Sequence, residues 1–166
     1  MITGSSTATF KNMSWISAIC ARTALEEAAA ERNIDLVVST FQSHEEIGEV
    51  LANIPEDVQA VWQIPSPFWG VHADLFIRAC LDRKKPLKTH APDWAEAGAF
   101  MSYGLDTRIM GKQMSRMAHK ILSGTPSSNL PVEQAEYFLT INLKTAEAMG
   151  LYIPDILLKQ ADRVVR

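Results

Sequence analysis

The sequence predicts an α/β fold, a three-layer αβα sandwich around a mainly parallel sheet. The first observation is that strand-like segments alternate with helix-like segments between residues 7 and 103. The second is that the connections between these segments are short, which is typical of strand–helix–strand units with parallel strands. The third is that 47% of the 166 residues are apolar. That composition and length are sufficient for the core of one globular domain.

The predicted strands are short apolar runs rich in β-branched residues. The run at 34–38 (IDLVV) is almost continuously apolar, as expected of a buried strand. The run at 58–64 (VQAVWQI) alternates apolar and polar residues and ends at Pro65. An opening strand at 7–11 has a weaker pattern. The predicted strands are residues 7–11, 34–38, 58–64, 86–89, 99–103 and 137–142.

The predicted helices combine apolar residues at helical spacing with residues that favour helix ends. Ser43 and Glu46 form a capping box that opens the second helix. Asp106 caps the fourth helix, and Gly124 ends it. Asn12 or Ser14 can cap the first. The predicted helices are residues 14–32, 43–53, 68–83, 106–122, 143–149 and 154–164.

Composition and motifs exclude several classes of function. The net charge is −3, so neither duplex nucleic acid nor an anionic membrane surface is an expected partner. The sequence contains no glycine-rich phosphate loop or dinucleotide motif after a strand, and no G-x-S-x-G nucleophile elbow. The four histidines do not cluster with acidic or thiol residues, so we predict no metal and no cofactor. Cys20 and Cys80 are predicted to be small buried apolar residues.

Four loops are predicted to meet at one edge of the sheet, because each follows the carboxyl end of a strand. Three of the four tryptophans lie in these loops. Aromatic rings beside hydroxyl and carboxyl groups suit a small ligand with an apolar body and a polar tip. Helix N-termini near Ser14 and Phe68 favour a carboxylate. The alternative is that the rings anchor the loops in the core. The candidate ligand-binding residues are Ser14, Trp15, Ser66, Phe68, Trp69, His90, Asp93, Trp94, Ser102 and Tyr103.

The second half of the chain contains runs that resemble one protein family. They are Ser102-Tyr103-Gly104 shortly before Asp106, the run at 121–134 (ILSGTPSSNLPVEQ) and the run at 141–154 (INLKTAEAMGLYIP). Together these runs resemble substrate-binding proteins of ABC transporters, in the subgroup whose better-known members bind aromatic amino acids. The order and spacing of the runs agree with that family over about residues 33–165.

The resemblance implies a periplasmic binding protein fold of type I, in which two α/β lobes joined by a hinge close on a ligand. Residues 1–104 would form one ligand-binding lobe, and residues 105–166 would return towards the other lobe, which would have no counterpart in this chain. Ser66-Pro67-Phe68-Trp69 stands where relatives often carry a Thr-Asp-Asn-like run. This difference indicates a flatter or more apolar ligand, or a lost site.

The predicted function is non-catalytic binding of a small, amino acid-like solute for an ABC transporter permease. The resemblance implies a periplasmic or extracytoplasmic location, although residues 1–15 contain no recognisable signal peptide. Two alternatives stay open: a sensory or regulatory ligand-binding domain of the same fold, and an α/β enzyme.

The helix predicted at 106–122 has apolar residues on more than one stripe. Either it is a core helix of the same sandwich, or it packs, together with the strand at 137–142, on a second lobe or a second copy of the chain. We therefore expect a homodimer or a missing N-terminal lobe, because large apolar side chains left in water would forfeit roughly 1.5–3 kcal/mol each. The residues concerned are Ile109, Met110, Met114, Met117 and Ile121.

Overall fold

The computed structural model describes the backbone of residues 5–10, 15–41, 45–64 and 72–166, and the side chains of residues 23–39, 45–64 and 72–166. The candidate residues Ser14, Ser66, Phe68 and Trp69 lie outside these ranges, as does the side chain of Trp15. The predicted caps at residues 12, 14 and 43 and the side chain of residue 20 also lie outside them.

The described strands form one seven-stranded sheet. They are β1 (Ser5–Phe10), β2 (Leu36–Phe41), β3 (Ala60–Gln63), β4 (Leu87–Thr89), β5 (Met101–Leu105), β6 (Tyr137–Asn142) and β7 (Arg163–Val165). Their order across the sheet is β2-β1-β3-β4-β5-β6-β7. Strands β1 to β5 are parallel, β6 is antiparallel to β5, and β7 is parallel to β6. The predicted α/β fold with a mainly parallel sheet is confirmed.

Helices connect most of these strands, as the alternating pattern predicts. They are α1 (Trp15–Glu31), α2 (Glu46–Ala52), α3 (Ala73–Asp82), α4 (Pro92–Ala97), α5 (Thr107–Leu122), α6 (Leu143–Met149) and α7 (Asp155–Gln160). A short 3₁₀ helix spans Ser127–Asn129. In the described part of the chain, no helix has both the length and the apolar character that crossing a membrane requires.

Two elements differ from the sequence prediction. Residues 92–97 form α4, whereas a loop is predicted at 90–94. Pro92 occupies the first position of that helix, where a missing N–H is tolerated, and Gly98 ends it with a φ of 126°. The helix predicted at 154–164 is also wrong in its second half, because α7 stops at Gln160 and β7 pairs with β6.

The larger hydrophobic core lies between the sheet and helices α2, α3 and α4. It contains Cys80, which is buried as predicted. Burial raises the pKa of the Cys80 thiol to about 12, so this side chain acts as a small apolar residue. A second, smaller cluster under α6 and α7 contains Ile141, Ala146 and Ile153. The other members of the larger core include Ile47, Leu51, Val61, Phe76, Ile77, Leu87 and Trp94.

Helix α5 is capped as predicted and then extends with its side chains open to solvent. The Asp106 carboxylate accepts hydrogen bonds from the backbone N–H groups of Arg108 (2.9 Å) and Ile109 (3.4 Å). Burial alone would raise the pKa of Asp106, but these two bonds and the Arg108 charge lower it overall. Gly124, at a φ of 94°, follows the end of the helix. All 16 residues of α5 are described and none is buried; Met114 is 65% exposed.

The strand at 137–142, which we expected to pack on another lobe, belongs to the same sheet as β1 to β5. Strand β6 pairs with β5 from Tyr137 opposite Leu105 to Ile141 opposite Met101. Residues 137–165 therefore extend the sheet that β1 to β5 begin, and the division at residue 104 does not separate two sheets. Residues 106–136, which include α5, add no strand to the sheet.

Candidate functional site

A crevice of about 810 Å³ opens on the sheet face away from the larger core. Helix α1 forms one wall, strands β3 to β6 form the floor, and the first residues of α4 and α5 form the rim. The floor includes Trp62, Lys88, Tyr103 and Tyr137. We call this the sheet-face crevice. It reaches the edge where the parallel strands end, which is where open α/β sheets bind their ligands.

Side-chain alternation along each strand places these residues in the crevice. Val61 and Leu87 belong to the larger core, so the following residues, Trp62 and Lys88, point to the opposite face. Trp62 and Lys88 are also direct partners across β3 and β4. Cross-strand partners on one face lie close enough for their side chains to interact.

Two tyrosines form an aromatic surface at one side of the crevice. The rings of Tyr103 on β5 and Tyr137 on β6 lie 5.5 Å apart between centroids and are tilted by 32°. Both side chains are exposed. An aromatic pair that is open to solvent inside a concave site can stack on a planar group of a ligand.

Lys88 is the cation of the crevice floor. Its Nζ atom lies 4.3 Å from the centroid of the Trp62 ring, within the range of a cation–π contact. Burial lowers the pKa of Lys88 from 10.5 to about 8. Among the described residues, no carboxylate forms a salt bridge with Lys88. The Trp62 Nε1 atom is buried and has no hydrogen-bond partner among the described residues.

His90 lies at the end of β4 and is held by a buried glutamine. Its Nδ1 atom is 2.8 Å from Oε1 of Gln63, which also accepts a hydrogen bond from Thr89 Oγ1 at 3.2 Å. Because an amide oxygen only accepts, Nδ1 carries the proton and Nε2 of the neutral ring is an acceptor. Burial, and then the charge of Lys88, lowers the pKa of His90. Both effects favour the neutral form of the ring.

The two carboxylates of the rim are already paired with arginines. Arg108 lies 3.3 Å from Asp93 and 3.5 Å from Asp106. It also lies 3.7 Å from Glu96, to which Arg163 of β7 is hydrogen-bonded. Arg163 lies 3.7 Å from Asp106. This network fastens the first turn of α5 to α4 and β7.

The described candidate residues fall into two groups. His90, Asp93 and Tyr103 line the sheet-face crevice. Trp94 instead packs in the larger core, with its ring 6.2 Å from that of Phe76. Ser102 is fully buried, and its hydroxyl has no described partner. The assignment of these residues to ligand binding stays a prediction.

Three aromatic or charged side chains of the crevice floor were not among the candidates: Trp62, Lys88 and Tyr137. They lie within strands, whereas the candidates are residues of the loops at the carboxyl ends of the predicted strands. The alternation of residues 58–64 could have placed Trp62 on the face opposite Val61. No described group of three His, Cys, Asp or Glu side chains comes together in a way that could hold a metal ion.

A family model described as "ABC transporter substrate binding protein" matches residues 8–165. No curated protein matches the chain. Solved structures with a similar fold include a conserved domain protein from Vibrio cholerae O1 biovar El Tor, at 25% identity and a TM-score of 0.77. This chain is covered over 96% of its length in that match, and the Vibrio chain over 54%.

Two further structures share the fold at lower identity. One is an ABC domain in complex with L-Trp from Streptococcus pneumonia, at 23% identity and a TM-score of 0.75, with 98% of this chain and 55% of that chain covered. The other is the ligand-free, open form of a substrate binding protein with adhesive properties from Clostridium difficile, at 16% identity and a TM-score of 0.72. There 98% of this chain and 54% of that chain are covered. The chain thus spans about half the length of these structures.

Proposed function

Because the chain belongs to the family of ABC transporter substrate-binding proteins, we propose that it binds a small, amino acid-like solute and presents it to a transporter permease. The family resemblance seen in residues 33–165 is confirmed by the match over residues 8–165. The family is a solute-binding, non-catalytic class, and we propose that this chain likewise catalyses no reaction. Its site of action would be outside the cytoplasm, where such proteins meet their solutes.

The sheet-face crevice is the observation that carries this proposal. It combines an apolar volume large enough for a small solute with a few polar groups at defined places, as ligand sites commonly do. Tyr103 and Tyr137 offer stacking surfaces, and the neutral His90 offers an acceptor. The L-Trp bound by the Streptococcus protein supports an aromatic amino acid as a first candidate.

Binding can be measured by the thermal shift of the purified chain with a panel of amino acids, followed by calorimetry. A solute at 100 times its Kd stabilises the native state by about 2.7 kcal/mol. For a chain of this size, that corresponds to a Tm increase of about 5–10 °C. We expect an aromatic amino acid to give this increase.

Replacement of Tyr103 with alanine should weaken binding about five- to tenfold, since a ring contact contributes on the order of 1 kcal/mol. Tyr152→Ala is the matched control, because Tyr152 is 84% exposed and does not line the crevice. The proposal would be contradicted if no amino acid of the panel bound the chain, or if Tyr103→Ala and Tyr152→Ala lost the same affinity.

We also propose that α5 docks on a second copy of this chain. Its apolar side chains are largely exposed, and its charged residues are all basic. Arg108 and Arg116 already pair with acidic side chains of the same chain, whereas Lys112 and Lys120 form no salt bridge among the described residues. The whole chain has a net charge of −3, so the rest of it is acidic and complements this helix. A two-fold dimer would cover the apolar stripe and bring opposite charges together.

Light scattering at micromolar concentration should give twice the chain mass of 18.4 kDa. Met114→Lys should return the protein to a monomer, because it places a charge in the middle of the exposed stripe. Val132→Lys is the control, because Val132 is exposed but lies outside α5. A stable 18.4 kDa species of the unmodified chain would rule the dimer out. Helix α5 would then be expected to pack on a lobe formed by another polypeptide or another segment.

A further inference from the structure

The Lys88 ammonium has no described counter-charge in a crevice that is otherwise mostly apolar. A lysine can cover an apolar surface with its stem and keep its charge in water. Here the Nζ atom instead lies over the Trp62 ring, and burial lowers the pKa of Lys88 to about 8. Lys88 is half-buried, and a partly buried cation without a carboxylate lowers the stability of the native state. Such a cost at the floor of a cavity is expected where the missing anion is a ligand.

A second group on the crevice floor also has no partner. The Trp62 Nε1 atom is buried, and no described acceptor lies within hydrogen-bond distance of it. Buried donors in native proteins nearly always have an acceptor. The Lys88 Nζ atom lies 4.3 Å from the centroid of the Trp62 ring, so the two unpartnered donors lie in the same part of the crevice floor.

The charges around the crevice favour an anion over a cation. The rim carboxylates Asp93 and Asp106 are paired with Arg108, and Asp106 also lies near Arg163. Lys88 is therefore the described crevice charge without an opposite partner. A ligand carboxylate would gain a charge-assisted hydrogen bond, whereas a ligand ammonium would have to displace an arginine.

We propose that Lys88 is the carboxylate receptor of this site, and that the solute is an organic carboxylate with a flat apolar body, for which an amino group is not required. The carboxylate pairs with the Lys88 Nζ atom, and the apolar body lies against Tyr103 and Tyr137. This inference rests on the proposed function, since it assigns the chemistry of the same crevice.

The experiment compares two probes that differ in the charged group alone: 3-phenylpropanoate and 3-phenylpropylamine. Calorimetry on the full chain should show the acid binding at least about tenfold more tightly than the amine. Lys88→Met should weaken binding of the acid by about 10- to 100-fold, the range that corresponds to a charge-assisted hydrogen bond. Lys88→Arg should retain most of the affinity. Lys144→Met, an exposed lysine on α6, is the matched control and should bind like the unmodified chain.

A loss of binding in Lys88→Met cannot be a loss of folding if the variant is more stable than the parent. Removal of the half-buried, unpaired charge should raise the Tm of the ligand-free protein by about 2–4 °C. Trp62→Phe keeps the ring and removes the unpartnered N–H, and it should weaken binding of the acid about three- to tenfold.

L-Phenylalanine separates failure of this inference from failure of the proposed function. If phenylalanine binds and Lys88→Met leaves its affinity unchanged, the solute-binding function stands and Lys88 is not the receptor. Equal binding of the amine and the acid overturns the inference as well. If neither phenylalanine nor the acid binds the unmodified chain, the carboxylate site and the proposed function for this class of solute are both wrong.

Discussion

Replacement of Gly104 with alanine should destabilise the fold by about 3 kcal/mol or more. A Cβ atom at this position would lie 1.9 Å from the carbonyl oxygen of His90 and 2.8 Å from its carbonyl carbon. Both atoms belong to the backbone, so no side-chain rotation can relieve the overlap. The ends of β4 and β5 would have to separate where they form the floor of the crevice.

Urea unfolding of the Gly104→Ala variant measures this loss, which is a large part of the 5–15 kcal/mol that stabilises typical domains. Gly48→Ala is the matched control. A Cβ at Gly48, inside α2, meets nothing within 4 Å, so alanine there should stabilise the protein by roughly 0.5–1 kcal/mol through helix propensity. Equal stability of the two variants would show that β4 and β5 can separate at little cost.

The fold could be predicted where local signals agree with the tertiary contacts. Strand β6 and helix α6 have the bounds that the sequence predicts, because an apolar run ends at Asn142 and the side chain of that residue caps α6 by accepting a hydrogen bond from the Thr145 N–H. Asp106 caps α5 for the same local reason. The parallel sheet followed from the order of the elements alone, since short helical connections between strands favour it.

Two elements depended on contacts that local patterns do not reveal. Pro92 considered alone indicates a loop, yet proline also suits the first turn of a helix. Helix α4 forms because Trp94 and Ala95 are buried in the folded protein. Strand β7 has three residues and no pattern of its own. It exists because β6 offers an edge to pair with, and such an edge is a property of the folded sheet.

Only some of the residues that line the crevice could be named from the sequence, because the others also depend on the folded sheet. His90, Asp93 and Tyr103, which follow or end predicted strands, line the crevice, and their role in ligand binding stays a prediction. Trp62, Lys88 and Tyr137 were missed, because a strand residue lines a site only where a sheet face stays uncovered. Which face stays uncovered depends on how far α1 extends across the sheet, and residue patterns within one strand contain no information about that.

Substitutions of Trp94 can distinguish a role in the hydrophobic core from a role in ligand binding. Trp94 is predicted from the sequence to lie in the ligand site, where Trp94→Ala would remove a stacking surface. In the structure the ring is 7% exposed and packs against Phe76 of α3, on the face opposite the crevice. An aromatic residue in such a place contributes mainly to stability.

Trp94→Ala should therefore lower the free energy of unfolding by about 3–5 kcal/mol, the usual cost of emptying a large aromatic site in a core. Trp94→Phe keeps much of the packing and should lose less, about 1–2 kcal/mol. Urea unfolding gives these values, with the exposed Tyr152→Ala as the variant that should change little. Solute affinity of the folded Trp94→Phe protein then decides the role. Unchanged affinity assigns Trp94 to the core, whereas a tenfold loss at nearly full stability would return it to the ligand site.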